Sequence, residues 1–220
     1  MKIFYLTILS LLINQIALKK YPTFLSIKVN SKEYQSMIYK HIINSLIQLY
    51  EEYKDPRIKE DIQDIAKEHF NLLRRPNSWH ITTCFIGGNK SKLNSPYFEN
   101  FVEDEHYDIN ISTLAYIPGG IIAAPVFPKY EWIENEFPHM TLMIGEGFKP
   151  VDSNFVLTKS FHDIEKMREL YESGELKNED TVVNEVFENI FIPEKHRAYD
   201  TLYFIKIGKG VILDGVTTKE

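Results

Sequence analysis

The 220-residue chain has a single cysteine, Cys84, which excludes an internal disulfide framework and any zinc site built from several thiolates. It has no surplus of positive charge: 25 Lys and Arg stand against 31 Asp and Glu, and the formal charge of −6 argues against coating duplex nucleic acid. A ligand presenting one or two phosphates still suits such a surface, so small nucleotides or RNA termini fit better than long polymers. No Gly-rich phosphate loop, linker or low-complexity stretch occurs, and nothing points to a nucleoside triphosphatase.

What is present is 44% hydrophobic and 13% aromatic residues, enough for one domain with a real core. Residues 1–18, a basic Met1-Lys2 start followed by Ile3 to Leu18, read as a secretory signal peptide; Asn14 and Gln15 interrupt the run, and it is short for a stable membrane span. That places the protein in the secretory pathway, or in the cytoplasm if the segment is not a signal. The sequons at Asn89 and Asn110 are compatible with export. Residues 19–220 are then expected to form one domain and to be monomeric.

Hydrophobic spacing sketches the elements. Phe24 to Val29 reads as a strand. Asn30 and Glu33 form a capping-box pattern before a helix carrying Met37, Ile38, Ile42, Leu46 and Leu49 on one stripe. Asp55-Pro56 starts a second helix running toward Leu73. Tyr107–Tyr116 and Ile121–Val126 suit a hairpin. Later come a helix with Phe161, Ile164, Met167 and Leu170, a second helical stripe of Val182, Val186, Phe187 and Ile190, and a closing hairpin of Leu202–Ile207 with Val211–Leu213.

Two segments carry the chemistry. Trp79-His80-Ile81-Thr82-Thr83-Cys84-Phe85-Ile86-Gly87 and Phe137-Pro138-His139-Met140-Thr141-Leu142-Met143-Ile144-Gly145 share one pattern: His, an apolar residue, Thr, and a mainly apolar run closed by Gly. Side chains alternate along a strand, so His80 and Thr82 share a face, as do His139 and Thr141. By strict alternation Cys84 joins His80, whereas Ile81 and Phe85, and Met140, Leu142 and Ile144, turn the other way. Two neutral imidazoles can serve as general base and general acid, and hydroxyls can donate to an anionic oxygen. The other five histidines lack the pattern, and two satisfied strand histidines are the plainer alternative. Cys84 has no positive neighbour in sequence to lower its pKa and reads as a small core residue. Lys90 and Lys92, in the loop after the first segment, could touch a phosphate, although solvated loop positions are the simpler reading.

Paired His-x-Thr segments with apolar flanks, a preceding Phe-rich strand and helix, and a hairpin between them resemble the two-histidine phosphoesterases, which include bacterial 2',5' RNA ligase-like proteins and the cyclic phosphodiesterase domains of tRNA ligases. The resemblance covers residues 24 to 150. It implies an α+β fold of two lobes, with antiparallel or mixed sheets, outer helices and a central cleft holding both segments. It implies metal-independent hydrolysis of a phosphodiester, above all a 2',3'-cyclic phosphate, with His80 and His139 as acid and base and Thr82 and Thr141 on the phosphate. No cofactor and no metal are expected, since neither segment has an adjacent carboxylate and only Glu146 and Asp152 lie downstream. Tyr116 and Phe127, near the hairpin, are candidates to stack on a base. A non-catalytic nucleotide or RNA-end binding module on the same fold is the alternative.

Overall fold

A computed structural model of the chain describes residues 21–175, 185–192 and 197–220. The proposed signal segment, residues 1–18, lies outside them.

Strand β1 (Phe24–Val29) leads into helix α1 (Ser31–Tyr53), and α2 (Pro56–Ala66) follows after Lys54 adopts a left-handed turn. Asp55 caps α2 as its sequence suggests, its side chain accepting from the Arg57 backbone N–H, with Pro56 opening the helix. The Asn30 side chain does not cap α1; its amide reaches the Glu33 carboxylate at 3.5 Å, so the two box residues meet each other rather than the backbone. The second helix also stops short of the expected Leu73. Asp64 turns back to accept from the N–H groups of Asn71, Leu72 and Leu73, and Leu73 begins the short strand β2 (Leu73–Arg74).

The remaining elements are β3 (Trp79–Phe85), the short helix α3 (Pro96–Glu99), β4 (His106–Ile117), β5 (Ile121–Pro125), β6 (His139–Gly145), α4 (Asp152–Lys159), α5 (Phe161–Glu172), β7 (Glu185–Ile192) and β8 (Arg197–Lys219). The strands run in the order β1-β3-β6-β5-β4-β8-β7, and β8 also pairs with β1, so six strands close on themselves. Every described pairing is antiparallel, which resolves the choice between antiparallel and mixed sheets within the α+β class.

Two expectations in the last third are corrected. Val186, Phe187 and Ile190 lie in β7, not in a helix, because this strand pairs with β8 from Glu185↔Phe204 to Ile192↔Arg197; Val182 lies outside the described residues. A short apolar run carries no period long enough to separate strand from helix, and the available partner edge decides. Leu202 to Leu213 form one continuous strand rather than a hairpin. Both halves pair with β4, and residues 207–210 are accommodated opposite Ser112 with Gly210 at φ +79. A Cβ at Gly210 would sit 2.5 Å from the Ile111 carbonyl oxygen, so the close approach requires glycine.

Alternation places the strands between two sets of helices. Ile38, Ile42, Leu46, Leu49, Ile58 and Ile65 of α1 and α2 cover one face, meeting Ile27, Trp79, Ile81, Met140 and Leu142. Val156, Leu157, Ile164 and Met167 of α4 and α5 meet Ala115, Ile117, Ile121, Leu202 and Phe204, which alternate with residues of the first cluster along the same strands. A third cluster joins Leu25, Cys84, Ile86 and Phe101. Trp79 is fully enclosed, its indole N–H donating to the Leu142 carbonyl at 3.4 Å, which ties the first motif strand to the second. Burying a side chain of that size is worth about 2–3 kcal/mol and holds the central pair of strands in place.

Candidate active site

Strands β3 and β6 are neighbours, paired at Ile81↔Met140. In an antiparallel register that pairing sets His80 opposite Thr141 and Thr82 opposite His139, so each imidazole faces the hydroxyl of the other motif. The two histidines are then diagonal neighbours, whose backbones stand roughly 7–8 Å apart in such a ladder. Ile81 and Met140 pack beneath, while all four polar side chains line one cavity of about 460 Å³. Its walls also include Phe24, Ser78, Phe85, Glu134, Asn135 and Val151.

Both motif strands carry a bulge at the same place. Against β1, Ser26 pairs with Thr82 and Leu25 with Cys84, leaving Thr83 extra. Against β5, Ala123 pairs with Thr141 and Ile122 with Met143, leaving Leu142 extra. An extra residue resets the alternation. Cys84 therefore turns into the core at 1% exposure instead of joining His80, and Phe85, expected in the core, is 58% exposed on the cavity wall. Ile144 leaves the side of Met140 and Leu142 and packs against the α4–α5 cluster. The glycines closing the two patterns do different work: Gly87 has φ +52, whereas a Cβ on Gly145 would meet the Gly119 carbonyl oxygen at 2.1 Å.

The two rings are held alike, each through Nδ1 and the residue two positions back. The His139 Nδ1–H donates to the Phe137 carbonyl at 2.6 Å, which fixes the tautomer and leaves Nε2 with its lone pair. Burial lowers its pKa from the usual 6.5 to about 4, outweighing the Phe137 carbonyl that favours the cation, and His80 lowers it further. His80 lies 3.4 Å from the Ser78 hydroxyl through Nδ1 and stacks on Phe24 with ring centres 5.2 Å apart. Burial lowers its pKa as well, opposed by the Glu220 carboxylate and the Ser78 backbone. Thr141 shares a hydrogen bond of 2.8 Å with Ser153 of α4, which orients its hydroxyl.

Tyr116 and Phe127 are not at this site. Both are fully buried, so neither can stack on a ligand. Tyr116 lies under α1 and α2 and its hydroxyl donates to the Asp61 carboxylate, whose pKa burial raises to about 6. Phe127 packs with Phe137 and Phe148 in the α4–α5 cluster and stacks on Tyr171. Exposed Phe85 and the ring of Phe24 supply aromatic surface in the cavity instead. The bulge that exposes Phe85 has no sequence signature, whereas Ser78 and Phe137 could have been sought from their common spacing to the histidines.

Lys92 is engaged by Glu134 at 2.7 Å, and Lys90 sits over the Tyr21 ring, so neither loop lysine borders the cavity. Glu146 and Asp152 are also away from it. Asp152 accepts from the Lys149 backbone N–H, and no group of three or more His, Cys, Asp or Glu suited to a metal occurs among the described residues. Asn110 of the second sequon is 4% exposed within β4 and cannot receive a glycan in the folded chain. No helix among the described residues is long and apolar enough to cross a membrane.

No family model matches the chain, and no curated protein does. Among solved structures, the crystal structure of a fungal RNA kinase is similar over 92% of this chain and 47% of its own, at 15% identity and a TM-score of 0.45. The chain therefore spans about half the length of that protein.

Proposed function

We propose that the chain hydrolyses a phosphodiester without a metal, its substrate being a 2',3'-cyclic phosphate on a nucleotide or RNA end. The observation that carries this reading is the reciprocal facing of His80 with Thr141 and His139 with Thr82 across one cavity. A phosphate seated between the strands would meet an imidazole on each side and a hydroxyl beside each imidazole. Thr82 and Thr141 donate to the non-bridging oxygens, an interaction that strengthens as negative charge builds in the five-coordinate transition state.

The environments of the rings divide the proton work. His139 is enclosed and neutral with Nε2 free, the state a base needs to take a proton from water for in-line attack. Burial lowers the pKa of His80 too, but this ring is the less enclosed and Glu220 and the Ser78 backbone oppose the shift, so it is the more readily protonated of the two and takes the role of giving a proton to the leaving ribose oxygen. Water adds to phosphorus, one ribose P–O bond breaks, and the proton taken by His139 balances the one given by His80. Phe24, Phe85 and Val151 provide apolar surface for the nucleoside.

Incubating the chain with 2',3'-cyclic nucleotides and cyclic-phosphate RNA in EDTA tests the proposal. Turnover should survive the chelator and fall about 10² to 10⁴-fold in His80→Ala and in His139→Ala. Turnover unchanged in either variant refutes the mechanism, and turnover abolished by EDTA points to metal-dependent hydrolysis.

A further inference from the structure

The loop that enters β6 is joined to the bulge of β3 by a continuous hydrogen-bonded path. The Thr83 carbonyl accepts from the backbone N–H groups of Glu134 at 2.8 Å and Asn135 at 3.2 Å. The Asn135 side-chain amide donates to the Thr82 carbonyl at 3.3 Å, and its Oδ1 accepts from the Phe137 N–H at 3.1 Å. The carbonyl of that same Phe137 accepts from His139 Nδ1. Successive carbonyls of a regular strand point to opposite edges; the extra residue at Thr83 lets both Thr82 and Thr83 serve one loop.

We infer that Asn135 is a positioning residue that sets the orientation and tautomer of the His139 ring, acting through the Phe137 residue and anchored on the bulge of the first motif. The inference rests on the reading of His139 as the proton acceptor. Phe137 is held at its N–H by Asn135 and at its carbonyl by the imidazole, so the carbonyl that pins the Nδ1 proton is itself oriented by a side chain. Asn135 lines the cavity yet is occupied on both ends of its amide by backbone, which leaves it placed to organise rather than to react. One side chain thereby couples the two motifs: its anchor is the backbone of Thr82, and the ring it controls belongs to the facing strand.

Long-range ¹H–¹⁵N spectra of the histidine rings at pH 7.5 test this in the full chain, in Asn135→Ala, in Asn135→Asp and in Asn135→Gln, with the His139 signals assigned by their loss in His139→Asn. The natural chain should show the Nδ1–H tautomer. In Asn135→Ala the ratio of that tautomer to the other should fall about tenfold, the worth of one ordinary hydrogen bond. Asn135→Gln displaces the amide by one methylene without emptying the loop and should behave like Ala, which keeps the test decisive if the Ala variant does not fold. Asn135→Asp retains the acceptor for the Phe137 N–H and should stay within roughly threefold of the natural ratio by the same reckoning. With a 2',3'-cyclic nucleotide, kcat should drop roughly tenfold to a hundredfold in Ala and Gln while KM stays within about twofold. Unchanged His139 ring signals in Ala and Gln overturn the role of Asn135. Absence of hydrolysis in the natural chain instead overturns the proposed function, and the ring spectra then decide the positioning role alone.

Discussion

Replacing His139 with Asn should remove a pH dependence of folding that burial of the imidazole creates. Unfolded, the ring titrates near 6.5; in the folded chain its pKa is about 4. Between those values the unfolded chain binds a proton that the folded site refuses, so this contribution to stability falls as pH drops from about 6.5 toward 4. The gap corresponds to about 3 kcal/mol over the whole window, of which about 2.5 kcal/mol is lost by pH 4.5. Asp61 works in the opposite sense. Its folded pKa is raised from 3.8 to about 6, so the folded chain takes up that proton first and gains stability as pH falls through the same range. The two trends offset each other in the natural chain, and the difference between the chain and its variant isolates the histidine. Asn suits the purpose because its amide N–H stands where Nδ1–H does and can still donate to Phe137. Urea unfolding of both proteins at pH 7.5 and pH 4.5 should show the stability difference moving in favour of His139→Asn by about 2.5 kcal/mol at the lower pH. An identical difference at both pH values would refute the claim that the ring is enclosed and neutral.

Three further changes follow from the same contacts. Gly145→Ala places a Cβ against the Gly119 carbonyl, where backbone rather than a flexible side chain would have to move, and should cost roughly 1–3 kcal/mol in chemical denaturation. Asp64→Ala removes one carboxylate from three backbone N–H groups at the start of β2 and should cost about 2–3 kcal/mol by the same measurement. Burial raises the Cys84 thiol to about 11, helped by Glu134, so iodoacetamide should label it at pH 8 far more slowly in the folded chain than in urea, and Cys84→Ala should leave the proposed hydrolysis of cyclic nucleotides within about twofold of the natural chain's rate.

The elements with long, one-sided patterns are legible in the sequence. α1 shows its stripe over many turns, Asp55-Pro56 marks the start of α2, and the β4–β5 hairpin has a turn with Gly119 at φ +66. Where the pattern is short, the partner decides. Val186, Phe187 and Ile190 fit a helical stripe by spacing, but the edge of β8 pairs their backbone. Gly208-Lys209-Gly210 looks like a hairpin turn because glycine permits one, yet its neighbours on both sides pair with β4. Tyr116 lies in the core for a related reason: an aromatic beside a hairpin is exposed or buried according to which face α1 and α2 cover, and that is a tertiary choice.

The motif strands show where local reasoning stops. Alternation correctly gave His80 and Thr82 one face and His139 and Thr141 one face, because those residues precede the bulges. Beyond Thr82 and Thr141 the period-two rule fails in both strands, since each contains one residue that its partner does not count. That failure has chemical consequences. It sends Cys84 into the core, brings Phe85 to the cavity wall and frees the Thr83 carbonyl for the loop that holds Asn135. Bulges depart from sheet regularity at a cost and recur beside active sites, where they re-aim side chains. Two of them at matching positions after two matching His-x-Thr segments give the chain a local two-fold likeness that neither the residue spacing nor the strand pattern contains alone.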